Sequence, residues 1–313
     1  MDARSVAAIG CGAFAGVLLA MSAQGGKAEP KSMSGRPWAE IPVTSHKVAE
    51  GIYVLEGEGG NIGVSVGEDG PVLIDSQFAP LAGKIAAEVK KLSPKPIRLL
   101  VNTHWHFDHT GGNEALAAAG VTILAHDNVR TRQQKGMEYK AWGLVIPPAE
   151  HAALPPVTFA DGVTLHVNGD ELHVIHVPAS HTDGDSIVHF KKANVLHLGD
   201  TFVAGFPLVD LQSGGRFEGF LDAIDRALSL ADEKTKIIPG HGPVMTKADL
   251  ESWRSMIATI RDRVKEQLTA GKSLEEVIAS KPTHDYDAKF EGPKAFIKSK
   301  DVIAMAYHSM KQQ

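Results

Sequence analysis

The sequence contains almost no cysteine. Its only cysteine among 313 residues is Cys11, close to the N-terminus. Because residues 1–28 have the features of a removable signal peptide, the mature protein would contain none. This absence excludes disulfide bonds and thiolate metal ligands. A purely structural zinc site is disfavoured for the same reason, since such sites are usually closed and rich in cysteine.

The sequence also lacks an excess of basic residues. It has 32 Lys and Arg against 37 Asp and Glu, a formal net charge of −5, and no long run of Lys or Arg. Proteins that bind nucleic acids use such residues to neutralise phosphates. Nucleic acid is therefore not an expected partner, and a nuclease is disfavoured.

Internal repeats and low-complexity tracts are absent as well. The hydrophobic content of 43% and the charged content of 22% are typical of a globular protein that can bury a sizeable core. Two successive sets of short apolar runs, each accompanied by apolar residues at helical spacing, predict a layered α/β fold.

The predicted elements follow from these runs. In the first set, strands are predicted at 52–55, 62–66, 72–74, 97–101 and 121–124, with a helix at 79–92. In the second set, strands are predicted at 163–167, 172–177, 187–190, 195–198 and 237–238, with helices at 217–230, 250–268 and 273–279.

The N-terminal segment 1–28 is typical of a secretory signal peptide. An Arg near the start precedes an apolar stretch rich in small residues from Val6 to Ala23, which ends in a polar break. Cleavage would give a periplasmic or secreted protein with no stable membrane insertion; an uncleaved membrane anchor is the alternative. A linker over 29–45 and one domain over 46–313 are expected to follow.

Residues 126–160 fit neither a regular strand pattern nor a helical one. Two Pro-Pro pairs interrupt regular structure there. Long irregular insertions in compact domains are often lids or binding loops. We therefore expect substrate contacts in this region, Trp142 among them; a solvated surface excursion is the alternative.

A short segment carries many side chains that can bind metal ions. Residues 103–109 read THWHFDH, directly after a predicted strand. His104, His106 and Asp108 occupy every second position, so on an extended segment they would point to one side. Imidazole nitrogen and carboxylate oxygen are good ligands for zinc and related metals. The segment therefore predicts a metal site at the open end of a strand.

Further ligands are expected from distant parts of the chain. His181, Asp200 and His241 each follow shortly after a predicted apolar strand and lie among Gly, Pro or Ser. Each of these strands is therefore expected to deliver one polar side chain to the same edge.

The ordered set HWHFDH, His181, Asp200 and His241 resembles the ligand signature of the metallo-β-lactamase superfamily of metal-dependent hydrolases. The resemblance runs from about Ile52 to Gly242 and includes VLID, which ends at Asp75. It implies a four-layer αβ/βα sandwich of two mixed β-sheets flanked by helices.

The resemblance also implies how the ligands would be shared between two zinc ions per chain. His104, His106 and His181 would hold the first metal ion. Asp108, His109 and His241 would hold the second, and Asp200 would bridge the two. The zinc β-lactamases proper often carry a cysteine at the bridging position, so Asp200 is more similar to the aspartate of glyoxalase II and the lactonases.

Such a centre predicts a dinuclear zinc hydrolase. A hydroxide shared by the metals would cleave an amide or ester bond of a small, cyclic substrate such as a β-lactam or a lactone. Asp108 is expected to bind metal and to orient the nucleophile or carry its proton. The residues expected to support the ligands are Asp75, Thr103, Thr182 and Asp183, and those expected to bind substrate are Trp142, Phe202 and Phe206. For Asp75, a turn-forming acid at a strand end is an equal alternative.

Two other enzyme functions are compatible with the same residues. A thioesterase of the glyoxalase II type is one, although that family carries a separate C-terminal helical domain, for which the roughly 60 residues after Thr246 are few. An iron-dependent sulfur dioxygenase is the other, since the same ligands accept iron. A non-enzymatic binding module is disfavoured by the complete ligand set.

Overall fold

The structure, a computed structural model, describes residues 32–139, 144–292 and 295–312. The predicted signal peptide and Trp142 lie outside the described residues. The chain divides into two compact units, Met1–Ala160 with Val167–Gly169, and Asp161–His166 with Asp170–Gln313. Within the described ranges, no helix combines the length and apolar character needed to cross a bilayer.

The first unit contains a seven-stranded sheet in the order β1-β2-β3-β4-β5-β6-β9. Its strands are β1 (Thr44–Ala49), β2 (Ile52–Glu56), β3 (Ile62–Ser65), β4 (Val72–Ile74), β5 (Leu99–Val101), β6 (Thr122–His126) and β9 (Val157–Phe159); β7 (Met137–Tyr139) and β8 (Leu144–Ile146) form a separate hairpin. Strands β1 to β4 are antiparallel, whereas β4, β5, β6 and β9 are parallel. The carboxyl ends of the parallel strands therefore share one edge.

The register of the parallel strands aligns the residues that follow them. Ile74 lies opposite Val101, and Val101 lies opposite Leu124. Two further backbone bonds extend this ladder, from Asp75 to the Val101 carbonyl and from Asn102 to the Leu124 carbonyl. The segments after β4 and β5 thus begin side by side, which brings Asp75 close to the THWHFDH segment.

The helices of the first unit are α1 (Ala82–Leu92), α2 (Phe107–Thr110), α3 (Asn113–Ala118) and α4 (Asp127–Lys135). Helix α1 has apolar side chains at helical spacing, and Ile85 and Val89 on this face are fully buried in the core beside the sheet. The prediction of a helix that ends near residue 92 is accurate because this amphipathic pattern is strong.

The region 126–160 is more regular than predicted. It contains α4, the β7–β8 hairpin and β9, which adds to the edge of the main sheet beside β6. Helix α4 buries little apolar surface, mainly Val129, so it shows little hydrophobic periodicity. Its start is fixed by the His126 ring, whose Nδ1 accepts a hydrogen bond from the Asn128 amide.

Part of the predicted linker 29–45 is also folded. Ile41 is 1% exposed, and the Lys84 ammonium donates to the carbonyls of Trp38, Ala39 and Ile41. Strand β1 then begins at Thr44. The folded body therefore starts before residue 46, because α1 holds the preceding segment through Lys84.

The second unit contains a six-stranded sheet in the order β10-β11-β12-β13-β14-β15. Its strands are β10 (Gly162–Val167), β11 (Asp170–His176), β12 (Ser186–Phe190), β13 (Val195–His197), β14 (Lys236–Ile238) and β15 (Met245–Thr246). Strand β12 is antiparallel to both β11 and β13, and β13 is parallel to β14. Strands β11, β13 and β14 therefore end at one edge.

The α-helices among the described residues of the second unit are α5 (Gly219–Leu228), α6 (Lys247–Thr269), α7 (Leu274–Ala279), α8 (His284–Phe290) and α9 (Ser299–Lys311). Apolar side chains of α5, α6, α7 and α9 share one core with β12, β13 and β14. Capping boxes at Thr246 and Ser273 fix the starts of α6 and α7. Each unit is thus a mixed sheet with flanking helices, and the prediction of an α/β protein with two mixed sheets is confirmed.

Candidate metal centre

The metal-competent segment of the first unit lies at the carboxyl edge of its sheet. Strand β5 ends at Val101, and the three histidines that follow are buried, with His104 at 1%, His106 at 8% and His109 at 0% exposure. Burying an imidazole away from water costs free energy unless its nitrogen atoms have partners. The burial therefore favours ligands over solvated surface histidines.

A helical turn, and not an extended segment, brings Asp108 and His109 to the other histidines. The backbone is extended at His106, and α2 begins at the next residue. The amides of His109 and Thr110 both donate to the His106 carbonyl. The ring centroid of His104 lies 5.0 Å from that of His106 and 4.2 Å from that of His109. The expected alternation therefore holds only for His104 and His106.

Asp75 connects the ends of β4 and β5 through its carboxylate. Oδ1 accepts from the Thr103 amide at 2.8 Å, and Oδ2 accepts from Thr103 Oγ1 at 2.7 Å. The same Oδ2 lies 2.8 Å from His109 Nδ1, and Thr103 Oγ1 lies 3.0 Å from His104 Nδ1. These contacts direct the Nε2 atoms of both histidines away from Asp75, which is the arrangement typical of histidine ligands and their outer partners.

A second buried network holds the backbone of the same segment. Ser76 donates from its amide and from its hydroxyl to the His109 carbonyl, at 2.7 and 3.1 Å. Its hydroxyl also lies 2.9 Å from Asn113 Oδ1, and Asn113 exchanges side-chain hydrogen bonds with Asn102. The loop is thus fixed at both of its ends by side chains that are fully buried.

The turn between β2 and β3 covers this loop closely enough to require glycine. The Gly60 amide donates to the Asp108 carbonyl at 3.1 Å. A Cβ built at Gly60 would overlap the His109 imidazole, and one at Gly59 would lie 2.5 Å from the Asp108 carbonyl oxygen. The sequence signal for this contact is the Gly59-Gly60 pair, which is absent from the predicted site residues.

The second unit brings His181, Asp200 and His241 together at the edge where β11, β13 and β14 end. His181 Nε2 lies 3.6 Å from Asp200 Oδ2, and His241 Nε2 lies 3.5 Å from Asp200 Oδ1. The two carboxylate oxygens of Asp200 therefore face two different imidazoles. A Cβ at Gly240 would overlap Asp200 Oδ1, so glycine is required beside this carboxylate.

The His181 ring is oriented by a backbone carbonyl. Its Nδ1 lies 2.8 Å from the Leu208 oxygen, which leaves Nε2 as the nitrogen that faces Asp200. No side-chain pattern in a sequence could identify a carbonyl acceptor. Of the two predicted supporting residues beside His181, Thr182 is buried and Asp183 is half-buried, its amide donating to the Ser213 carbonyl.

The predicted substrate wall at Phe202 and Phe206 is wrong. Phe202 is 0% exposed and packs edge-on against Trp253, with ring centroids 5.5 Å apart. Phe206 is 4% exposed and packs against Phe290. Helices α6 and α8 cover both rings, so these residues belong to the core of the second unit.

The predicted ligands fit a metal centre by their chemistry. All of them belong to the groups of His and Asp side chains that could hold a metal ion: His104, His106, Asp108, His109, His181, Asp200 and His241. In His104, His109 and His181 a hydrogen bond on Nδ1 selects Nε2 as the ligating atom. Nitrogen and oxygen donors of this kind suit zinc and iron alike.

Comparison with known proteins identifies the family. Residues 55–243 match the family described as the metallo-beta-lactamase superfamily. Acyl-coenzyme A thioesterase MBLAC2 of Homo sapiens is 27% identical over 49% of this chain and 59% of its own length. Hydroxyacylglutathione hydrolase of Pelagibacter ubique is 28% identical over 49% of this chain and 56% of its own length. The chain thus spans little more than half the length of these relatives.

A solved structure supports the same conclusion for the fold. The metallo-beta-lactamase from Pontibacter korlensis superposes with a TM-score of 0.57 at 20% identity, over 69% of this chain and 99% of that protein. An identity this low supports similarity of fold alone. The match over residues 55–243 extends across most of both sheets and all of the predicted ligands. The chain therefore belongs to the metallo-β-lactamase superfamily.

Proposed function

We propose that the protein is a hydrolase with two metal ions held by seven side chains. His104, His106 and His181 would bind the first ion, and Asp108, His109 and His241 the second. Asp200 would contribute to both. This assignment is the one implied by the resemblance of the ligand signature to the metallo-β-lactamase superfamily, to which the chain belongs.

The observation that carries the proposal is the position of the Asp200 carboxylate. Each of its oxygens lies within 3.6 Å of the Nε2 atom of a different histidine. A carboxylate that served one ion would not need both oxygens directed at separate imidazoles. Gly240 leaves room for the carboxylate in this position. The arrangement therefore favours a carboxylate shared by two ions.

The chain's own residues would prepare this centre for hydrolysis. A pair of bound metal ions acidifies a water molecule and polarises the bond to be cleaved. Asp75 and Thr103 hold His109 and His104, so the ligands need little reorganisation. The Asp108 side chain is 17% exposed, which lets its carboxylate orient the attacking water and carry its proton.

We propose an amide or ester bond of a small, cyclic molecule, such as a β-lactam or a lactone, as the substrate. Glyoxalase II enzymes carry a separate C-terminal helical domain, whereas here α6, α7 and α9 contribute to the same core as the second sheet. These three helices therefore pack on the second sheet. Packing of these helices on the sheet favours a lactam or a lactone over a glutathione thioester as the substrate.

Thioester hydrolysis is the second candidate function. The named relatives include a thioesterase and a hydroxyacylglutathione hydrolase. Asp200 resembles the aspartate of glyoxalase II and the lactonases, so the ligand set supports both. An iron-dependent sulfur dioxygenase is a third candidate, because the donor set accepts iron. We also propose that zinc is the native metal. We propose in addition that the protein is periplasmic or secreted.

A panel assay tests these candidates together. Protein purified from unsupplemented medium would be analysed for zinc and iron. It would then be assayed against a chromogenic β-lactam, a simple lactone, a glutathione thioester and an acyl-coenzyme A thioester, each with and without chelator. We expect zinc and chelator-sensitive cleavage of the lactam or the lactone, absent in His106→Ala. Cleavage of thioesters alone would favour the second candidate, and iron with oxygen consumption the third.

A further inference from the structure

A buried carboxylate beside His181 has no role in the ligand set. Asp185 is 2% exposed and directly precedes β12. Its neighbours Ser180, His181 and Thr182 are all 0% exposed. Burying a carboxylate is expensive unless several donors compensate it, so the surroundings of Asp185 indicate what the residue does.

The Asp185 carboxylate accepts hydrogen bonds from four donor groups of residues 180–182. Oδ2 accepts from Ser180 Oγ at 2.8 Å, from the His181 amide at 2.8 Å and from the Thr182 amide at 2.9 Å. Oδ1 accepts from Thr182 Oγ1 at 2.5 Å and lies 3.0 Å from the Thr182 amide. Bonds to a carboxylate are stronger than bonds between neutral groups. The carboxylate thus fixes three consecutive residues centred on the ligand.

The backbone of Asp185 is itself anchored to the sheet. Its carbonyl accepts from the Val177 amide at 3.0 Å and lies 2.9 Å from His176 Nδ1, both at the end of β11. Asp185 is therefore attached to rigid strands on one side and to the ligand loop on the other. A loop held in this way has little freedom to move relative to the sheet.

His181 itself is held at three points. Besides its amide bond to Asp185, His181 accepts the Asp210 amide at its carbonyl, at 2.9 Å, and directs Nδ1 to the Leu208 oxygen. The amide, the carbonyl and the ring are thus each held separately. Of these three contacts, only the one to Asp185 involves another residue's side chain.

We propose that Asp185 is a positioning residue that sets the place of His181 Nε2 for metal binding. The proposal rests on the metal centre proposed above. Asp185 would not touch metal or substrate; it would act by fixing the Ser180–Thr182 backbone. Loss of the carboxylate should therefore allow His181 to move. The main effect should be a weaker affinity for metal, and the effect on the stability of the metal-free protein should be small.

The variant Asp185→Asn tests the proposal. Asparagine has the size and shape of aspartate, but its NH2 group cannot accept the hydrogen bonds that one carboxylate oxygen accepts. Asp170→Asn is the matched control, since Asp170 also accepts backbone amides, from Lys192 and Ala193, but at the opposite end of β11. Zinc affinity would be measured by competition with a chromogenic chelator. The thermal midpoint of each metal-free protein would be measured alongside.

We expect Asp185→Asn to bind zinc about 10–100-fold more weakly than the wild type, as is usual when an outer partner of a ligand is lost. Asp170→Asn should lower the metal-free midpoint and leave zinc affinity at the wild-type value. Equal zinc affinity in Asp185→Asn and the wild type, or equal losses in the two variants, would overturn the role of Asp185. A wild-type protein that binds no zinc would instead overturn the metal centre and, with it, the role of Asp185.

A milder variant covers the case in which Asp185→Asn does not fold. Ser180→Ala removes one hydroxyl donor from Oδ2 and leaves the carboxylate in place. It should show a smaller loss of zinc affinity in the same direction. The visible spectrum of the cobalt-substituted protein should also change in Ser180→Ala, because a displaced imidazole alters the coordination geometry. An unchanged affinity and spectrum in Ser180→Ala would contradict the proposal.

Discussion

Gly60 and Gly240 lie so close to proposed ligands that neither position has room for a side chain. A Cβ at Gly60 would overlap the His109 ring, whereas a Cβ at Gly83 in α1 would meet nothing within 4 Å. We predict that Gly60→Ala displaces His109 and lowers zinc affinity at least about tenfold, the lower end of the effect of disturbing a ligand's surroundings. Chelator competition would measure it.

Gly83→Ala is the control for this prediction. Gly83 lies in the first turn of α1, and alanine is a better helix former than glycine by at most roughly 0.5–1 kcal/mol, so this variant should melt no lower than the wild type and bind zinc equally well. If Gly60→Ala bound zinc as tightly as Gly83→Ala, the close contact between Gly60 and His109 would not matter for metal binding.

At the residue scale, the sequence indicates the candidate ligands more clearly than their surroundings. His104, His106 and Asp108 are evident because three residues that can bind metal lie within five positions, although a helical turn and not the expected alternation places Asp108. The hydrogen bond from His181 to the Leu208 carbonyl is invisible, since any residue provides a carbonyl. Asp185 could have been noticed as an acid four residues after His181, but only the structure shows that its partners are the loop's own donors.

At the scale of elements, β11 and β12 carry a pair of histidines directly opposite each other. His173 faces His189 across the ladder, with ring centroids 6.1 Å apart. Burial, and secondarily the charge of His173, Lys191 and Arg226, holds the pKa of His189 below its ordinary value of 6.5, although Asp170 opposes this. The folded protein therefore resists protonation of His189.

This lowered pKa predicts a loss of stability in mild acid. As the pH falls below 6.5, the unfolded chain binds a proton at His189 and the folded chain does not. The free energy of unfolding therefore decreases with falling pH until the lowered pKa of the folded state is reached. Above pH 6.5 His189 adds little to the dependence of the free energy of unfolding on pH. Denaturant titrations of the wild type and His189→Gln between about pH 5 and 8 would measure the effect. Identical slopes in both proteins would contradict it.

Predictions of elements succeeded where hydrophobic periodicity is strong and failed where it is weak. The strands from β2 to β6 and helix α1 are near their predicted positions, because buried β-branched runs and an amphipathic face are clear signals. Helix α4 was missed since it buries mainly Val129. Strand β9 was missed because it follows a Pro-Pro pair, and only tertiary pairing with β6 makes it a strand.

For the whole molecule, metal binding should raise the thermal midpoint. A ligand that binds only the folded state stabilises it by about 2.7 kcal/mol at about 100 times its Kd. At roughly 2–4 °C per kcal/mol for domains of 150–250 residues, zinc should raise the midpoint of the chelator-treated protein by roughly 5–10 °C. Scanning calorimetry would measure this shift. Calcium should have no such effect, since it prefers oxygen ligands, and His106→Ala should shift less than the wild type.

The backbone conformation of Asp75 has a consequence for protein engineering. Its φ angle of 69° is a left-handed value that glycine or asparagine adopts more easily than most residues. A redesign that optimised thermostability alone would therefore favour glycine at this position. Such a substitution would relax the chain and at the same time remove the carboxylate that holds Thr103 and His109. Directed evolution for heat tolerance should accordingly keep position 75 fixed.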